Sequence, residues 1–452
     1  MATALVTAPS APLRNFAAFT RDPLGFITRM RVEHGRFVAV TLVRERVILA
    51  NDPELIREVL VTKARSFHKD RGIRMAKHLL GEGLLSSEDE FHKRQRRLSQ
   101  PAFHRERIAA YGEQMARLAQ RGMDRWRNGA TVDITREMMR ITLTIAAKTL
   151  FNTEVEAEAE ELGESLTQAM EMFAPGLLPI IEVLKNLPLP MTRRFDAAKA
   201  RLDRTVYRMI EERRRNPIDH GDVLTMLLLA QDTEGDGGRM SDEQLRDEAM
   251  TIFLAGHETT ANALAWTIYL LSQHPEVEAR LHAEVDAVLH GRTPGSSDMK
   301  RLTYTERVFR ESMRLYPPAW GMGRVSHEPV ELGGVLIPAG QTNLVSQWVM
   351  HRDPEYFPDP LRFDPDRWLP ERCAALPKFA YFPFGAGPRM CIGEGFAWME
   401  GVLVLATFAQ QWRFQLVPGH PVIPQPRITL RPKHGIKVKL FRRLEAPLQA
   451  TA

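Results

Sequence analysis

One cysteine carries the strongest chemical signal in the chain. Phe384-Gly385-Ala386-Gly387-Pro388-Arg389-Met390-Cys391-Ile392-Gly393 sets Cys391 at the end of a glycine-rich loop. An apolar stretch that reads as a helix, Phe396 to Phe408, follows directly. A thiolate there would face free backbone N–H groups and the positive end of a helix dipole. That predicts a lowered pKa and a sulfur ready to bind a metal. Gly385, Gly387 and Gly393 would let the backbone approach a flat ligand closely. The bland alternative is a buried cysteine in a turn.

A second constellation is Ala255-Gly256-His257-Glu258-Thr259-Thr260, a polar cluster inside an apolar helical run that includes Ile252, Phe253, Leu254, Leu264 and Trp266. Gly256 weakens a helix by about 1 kcal/mol relative to Ala. Thr259 can turn its hydroxyl onto the Ala255 carbonyl, four residues back, and open the helix locally. Together they predict a notch lined by a hydroxyl and a carboxylate. The alternative is that Glu258 and Thr260 are solvated or satisfied in the core. His257 is a poor zinc ligand, because the H-E-x-x-H pattern fails at Ala261. Glu311-Ser-Met-Arg314 puts opposite charges three apart on one helical face. His92-Lys-Arg-Gln-Arg96-Arg97 is the densest basic run, with His92 and Arg96 on a shared face.

The cysteine segment resembles the haem-binding signature F-x-x-G-x-R-x-C-x-G of the cytochrome P-450 family at every fixed position, five residues within ten. The central segment is similar to that family's A-G-x-[D/E]-T-T pattern. Glu311 to Arg314, followed by Leu315-Tyr316-Pro317-Pro318, resembles its E-x-x-R helix, and Phe363-Asp-Pro-Asp-Arg367-Trp368 its next motif. The resemblance runs from about residue 36 to 440 and implies a mainly α fold with a small β-rich subdomain. It implies haem b (iron protoporphyrin IX), with Cys391 as the axial thiolate. Phe384, Gly385, Gly393, Ala255 and Gly256 would lie around the cofactor. His92, Arg96, Arg324 and Arg389 would meet its propionates, and bidentate arginine suits a carboxylate. Thr259 would hold oxygen and water, and Glu258 would relay protons from solvent. Glu311, Arg314 and Arg367 would form a structural triad that steadies the cysteine loop.

Insertion of one oxygen atom of O2 into a hydrophobic small molecule, a fatty acid or terpenoid, is the implied activity. Its electrons would come from NAD(P)H through a separate ferredoxin or flavodoxin and its reductase. Family position makes Phe253, Leu254, Ala255, Ala319, Trp320, Met322 and the Arg74–Leu85 loop pocket candidates, and each could equally be ordinary core. A peroxide-driven haem enzyme or haem isomerase stays open, although such relatives usually lose the acid–alcohol pair. A non-catalytic haem sensor also stays open. Lys93, Arg94 and Arg97 would form a docking face for an acidic donor or a plain solvated helix face.

The elements that must position these groups are readable in outline. Residues 36–50 predict a β-hairpin, Asn51-Asp52-Pro53 a helix start, and Arg105 to Ala230 a mostly helical stretch. Residues 173–191 hold four prolines among apolar residues and predict a loop, either packed on the core or a lid over an apolar channel. Ser241 with Gln244 predicts a capping box opening the central helix, which could run to about Gln273. Helices near 276–289 and 304–316 follow. Residues 328–346 return to strand and turn, 351–383 to an ordered meander, and 425–441 to a final hairpin around Pro432-Lys-His-Gly435.

The 452 residues show no linker-like break, which predicts a single domain, 1–452. Two cysteines allow no disulfide framework if one binds metal, and this fits a reducing compartment. The first 35 residues, with Arg14, Arg21, Asp22, Arg29, Arg31 and Glu33, are too polar for a membrane anchor or secretory core. A soluble, cytoplasmic, monomeric form without a fused reductase is expected. The net charge of +5 is mild. The basic run has no aromatic interleaving except Phe91, which argues against nucleic acid.

Overall fold

The computed structural model describes residues 4–154, 159–171, 189–216, 218, 221–232 and 237–443. Among the described residues helices dominate, and thirteen short strands gather in four small sheets. In chain order these are β1 (Val6–Thr7), β2 (Phe37–Leu42), β3 (Glu45–Ala50), β4 (Phe67–Lys69), β5 (Thr131–Asp133), β6 (Met322–Ser326), β7 (Val330–Leu332), β8 (Val335–Ile337), β9 (Thr342–Val345), β10 (Trp412–Leu416), β11 (Pro424–Pro426), β12 (Leu430–Pro432) and β13 (Lys437–Arg442). The largest sheet has the order β1-β2-β3-β9-β6-β4. Its β2–β3 hairpin realises the alternation seen in residues 36–50, with Leu42 opposite Glu45 across a two-residue turn. At the other edge β4 runs antiparallel to β6, which sets Lys69 directly opposite Arg324.

The central helix spans Asp242–Leu271. Ser241 accepts the Gln244 N–H and the Gln244 side chain accepts the Ser241 N–H, so the capping box forms. Almost all of this helix is buried, which explains its weak amphipathic pattern. It packs against the helix Ile134–Phe151 and against the helix Glu394–Gln411 that follows the cysteine loop. These elements share one large apolar core. A second core lies under the six-stranded sheet and includes Phe37, Ile48, Leu60 and Phe382.

Three expectations need correction. The final hairpin does not form as one unit. β12 pairs back with β11, whereas β13 pairs with β10 and β5. The Asp133 carboxylate accepts the Ile436 N–H, and Gly435 turns at φ +69°, so the chain changes sheets there. The helical stretch from 105 to 230 is broken by β5, a strand whose partner lies three hundred residues away. The central helix stays continuous through Gly256 and Thr259, because its neighbours hold it on nearly every side. The proline-rich segment falls largely outside the described residues, and the chain is helical from Pro190 to Arg215. Among the described residues no helix is long and apolar enough to cross a membrane.

Candidate active site

The cysteine loop lies where the two cores meet. Phe384 packs on the helical core and Ala386 on the sheet core. Gly385 and Gly387 take φ +71° and +66°. A Cβ on Gly387 would lie 2.0 Å from the Leu60 carbonyl oxygen, so only glycine fits. The Cys391 N–H donates to the Phe384 carbonyl at 2.9 Å and closes the loop. Cys391 keeps accessible surface, although protein packs densely around it.

Burial pushes the Cys391 thiol up to about 11. The Gly393 N–H and Arg96 pull it down, and Glu394 pushes it further up. This reverses the expected lowering. The backbone N–H acts in the anticipated direction, but removal from water is the larger effect. A cation bonded to Sγ would hold the thiolate.

On the central helix, accessible surface returns at Ala255, Gly256 and Thr259, amid buried neighbours. Small residues there leave room for a broad ligand. Thr259 Oγ1 donates to the Ala255 carbonyl at 2.9 Å. Glu258 is buried and points toward β12, where Arg431 Nε donates to it at 2.8 Å.

A cluster of cations converges beside the loop. Lys69, Arg324 and His92 are buried, and Arg96 and Arg389 partly so. Burial first, and then the neighbouring like charges, drives Lys69 well below its ordinary value. The same causes depress Arg324 and Arg389 and bring His92 to about 3, so His92 is neutral. The local carboxylates are Glu88, Asp70 and the exposed Asp89. Glu88 binds Arg389 and the Lys69 N–H, and Asp70 caps the helix Arg71–Leu80 through Ile73. Arg96 donates to the Met390 carbonyl at 2.8 Å. Four cationic side chains against three carboxylates, of which Asp89 is exposed, leave buried positive charge that suits an anion. A flat ligand with two carboxylates and a metal centre suits this donor set of one sulfur and several cations beside the same loop.

Behind the loop lies a saturated ionic network. Glu311 and Arg314 are fully buried. Arg314 donates to both Glu311 oxygens, at 2.9 and 2.8 Å, and Arg367 Nε donates at 3.2 Å. Trp368 Nε1 and the Asp364 N–H complete the shell at 3.0 and 3.1 Å. Arg314 also donates to the His351 carbonyl at 2.7 Å, and His351 Nε2 accepts the Phe382 N–H at 3.1 Å. The network thus reaches the segment entering the cysteine loop.

The pocket candidates are spread over three apolar clusters. Phe253 faces the helix Ile134–Phe151, its ring 5.7 Å from Phe151. Leu254 is buried in the same core. Trp320 packs on a third cluster with Leu42 and Leu344. Met322 touches the sheet core, and a Cβ on Gly385 would meet its sulfur at 3.4 Å. Ala319 is half-buried. Arg94 and Arg97 both pair with the buried Asp232 and tie their helix, Asp89–Ser99, to the loop before the central helix, so they are not a free docking face. Lys69, Glu88 and His351 carried no local sequence signal, and Trp368 stood only as the end of the Phe363–Trp368 motif. Only the pairing of β4 with β6 brings Lys69 to the cluster.

Comparison with known proteins agrees with this geometry. The family model described as Cytochrome P450 matches residues 14–440. Cyclooctatin synthase of Streptomyces melanosporofaciens is 43% identical over 91% of this chain and 89% of its own length. From the same organism, cyclooctat-9-en-7-ol 5-monooxygenase is 43% identical over 91% and 90%. Pentalenene oxygenase of Streptomyces avermitilis is 37% identical over 97% of each chain. The solved structure of retinoic acid-bound cyanobacterial CYP120A1 superposes with a TM-score of 0.85 at 26% identity, covering 97% of this chain and 99% of that one. The cysteine loop, the Glu258–Thr259 helix and the ionic network therefore stand in a chain that belongs to the cytochrome P450 family, haem-iron monooxygenases that use O2 and a redox partner.

Proposed function

We propose that this chain is a single-domain monooxygenase that hydroxylates or epoxidises a terpenoid. Haem b held by Cys391 would supply the activation of O2 for insertion into a C–H or C=C bond. His92, Arg96, Arg324 and Arg389, with Lys69 added, would hold the propionates. His92, being neutral, would do so as an N–H donor. Ala255 and Gly256 would flank the ring, and Phe384, Gly385 and Gly393 would wrap the sulfur. Thr259 Oγ1 would hand on protons and Glu258 would resupply them. Glu311, Arg314 and Arg367 would keep the loop in shape without touching the reaction.

The alkene and the alkenol in the names of pentalenene oxygenase and cyclooctat-9-en-7-ol 5-monooxygenase favour a terpenoid over a fatty acid. Electrons from NAD(P)H would arrive through a ferredoxin or flavodoxin in the cytoplasm, to a monomer.

The observation that carries the reading is the surplus of buried cations beside an accessible cysteine. The test is the spectrum of the reduced, carbon monoxide-treated protein. A red-shifted thiolate band should appear and should vanish in Cys391→Ala. A band typical of imidazole ligation would overturn the reading. A spin-shift titration with terpenes and fatty acids then decides the substrate class.

A further inference from the structure

The loop of residues 81–87 bridges the central helix and the cysteine loop. It leaves the helix Arg71–Leu80 and ends where Arg389 Nη1 donates to the Ser87 carbonyl at 2.7 Å. The loop is tied to itself. Ser86 Oγ donates to the Gly81 carbonyl at 2.6 Å, and the Ser87 N–H to the Gly83 carbonyl at 2.9 Å. It also lies directly on the central helix. A Cβ on Gly81 would fall 2.0 Å from the Asp247 carboxylate, and one on Gly83 2.1 Å from Thr251 Oγ1. Between the two attachments Leu84 is buried, whereas Leu85 packs on the helical core and stays partly open.

Two adjacent carboxylates of the central helix hold this loop, and they hold it unequally. Asp247 Oδ2 accepts the Glu82 N–H at 2.7 Å, and Asp247 Oδ1 accepts from Arg246 Nη1 at 2.8 Å. Glu248 Oε2 accepts the Leu84 N–H at 3.1 Å, but its Oε1 and the Thr251 hydroxyl have no partner among the described residues. Asp247 is therefore the firmer attachment. The bonds continue behind it. Arg246 is 5% exposed, and its Nε donates at 2.8 Å to Asp203 Oδ1, on the helix Pro190–Arg215. Lys199 Nζ donates to the other Asp203 oxygen at 2.7 Å. Among the described residues Asp203 reaches the loop only through Arg246 and Asp247.

On the haem-site reading above, we propose that Asp203, Arg246 and Asp247 are positioning residues that brace the 81–87 loop against the helix Pro190–Arg215, and that the braced loop sets the size of apolar ligand the site admits. A small ligand passes a held loop. A terpenoid-sized one must displace Leu85 and the backbone that carries it, and so works against the brace. Weakening any joint of the brace therefore speeds entry of large ligands and leaves small ones alone.

The test uses the full, haem-loaded ferric protein and three azoles of increasing bulk: imidazole, 4-phenylimidazole and clotrimazole. Association is followed by stopped-flow absorbance. Asp203→Asn and Asp247→Asn should each speed clotrimazole binding about fivefold or more, the low end of usual site-to-site coupling. Imidazole should stay at the wild-type rate, whereas a general loosening of the fold would speed all three. The double variant should be no faster than Asp247→Asn, because both changes act through one brace. Hydrogen exchange at the Glu82 amide should quicken in Asp203→Asn, although Asp203 does not touch it. If Asp247→Asn does not fold, Asp203→Asn carries the same comparison. Wild-type clotrimazole rates, equal acceleration of all three azoles, or unchanged exchange at Glu82 would overturn the brace. A missing thiolate band would instead sink the haem reading, and the exchange result would still decide the brace.

Discussion

Two buried charged regions flank the cysteine loop, and they are built on opposite principles. Around Glu311 every carboxylate lone pair has a donor, and every Arg314 nitrogen has an acceptor. Around Lys69 and Arg324 burial first, and then the Arg389 charge, depresses the cations, which outnumber their carboxylates. The first region is finished by the chain itself. The second is finished only by something the chain binds. Saturation thus separates scaffold from site where burial alone cannot.

Breaking the saturated region should have the largest effect. Glu311→Ala strands Arg314 in the interior and should cost about 3–5 kcal/mol. Urea denaturation should show a collapsed midpoint, and purified protein should carry little haem. Next comes Glu248, a third buried charge. It has one acceptor contact, from the Leu84 N–H at 3.1 Å, and burial raises its carboxyl to about 8. The folded state holds that proton more tightly than the unfolded one. Stability is therefore fully present below pH 4.5 and is lost as pH rises through about 8. Glu248→Gln should flatten a fall of about 3 kcal/mol between pH 4.5 and pH 7 in a stability–pH curve. A remainder should persist from Glu400, which burial also raises.

Lys69→Met sharpens the comparison through opposite signs. In haem-free protein it should stabilise by about 2 kcal/mol, as replacing an uncompensated buried charge does. In loaded protein it should speed haem loss to an apo-globin acceptor about tenfold, because a propionate loses its counter-charge. The smallest effect on stability belongs to Thr259→Ala, within about 0.5 kcal/mol by thermal melting. It should still lower product formed per NAD(P)H consumed, with the balance released as peroxide.

Features set by neighbours in sequence were readable beforehand. The Ser241–Gln244 box, the β2–β3 hairpin and the glycine loop each need only a few adjacent residues. Features set by long-range pairing were not. β5 and β13 meet across three hundred residues, and Lys69 joins the cluster through Arg324 on another strand. The Cys391 thiol shows a subtler failure. The local N–H was foreseen, but the loss of water around it depends on the whole fold. Arg94 and Arg97 fail similarly, since Asp232 reaches them only in three dimensions.

The contact of Gly387 with the Leu60 carbonyl bears on how the protein comes into being. The loop that carries Cys391 is moulded against a turn made more than three hundred residues earlier, and the rim cations come from both ends of that interval. No nascent chain still short of the loop can cradle a porphyrin. Prosthetic-group capture is therefore among the last events of biogenesis, and translation under iron or haem starvation should accumulate a full-length chain without haem, not a shorter stable fragment.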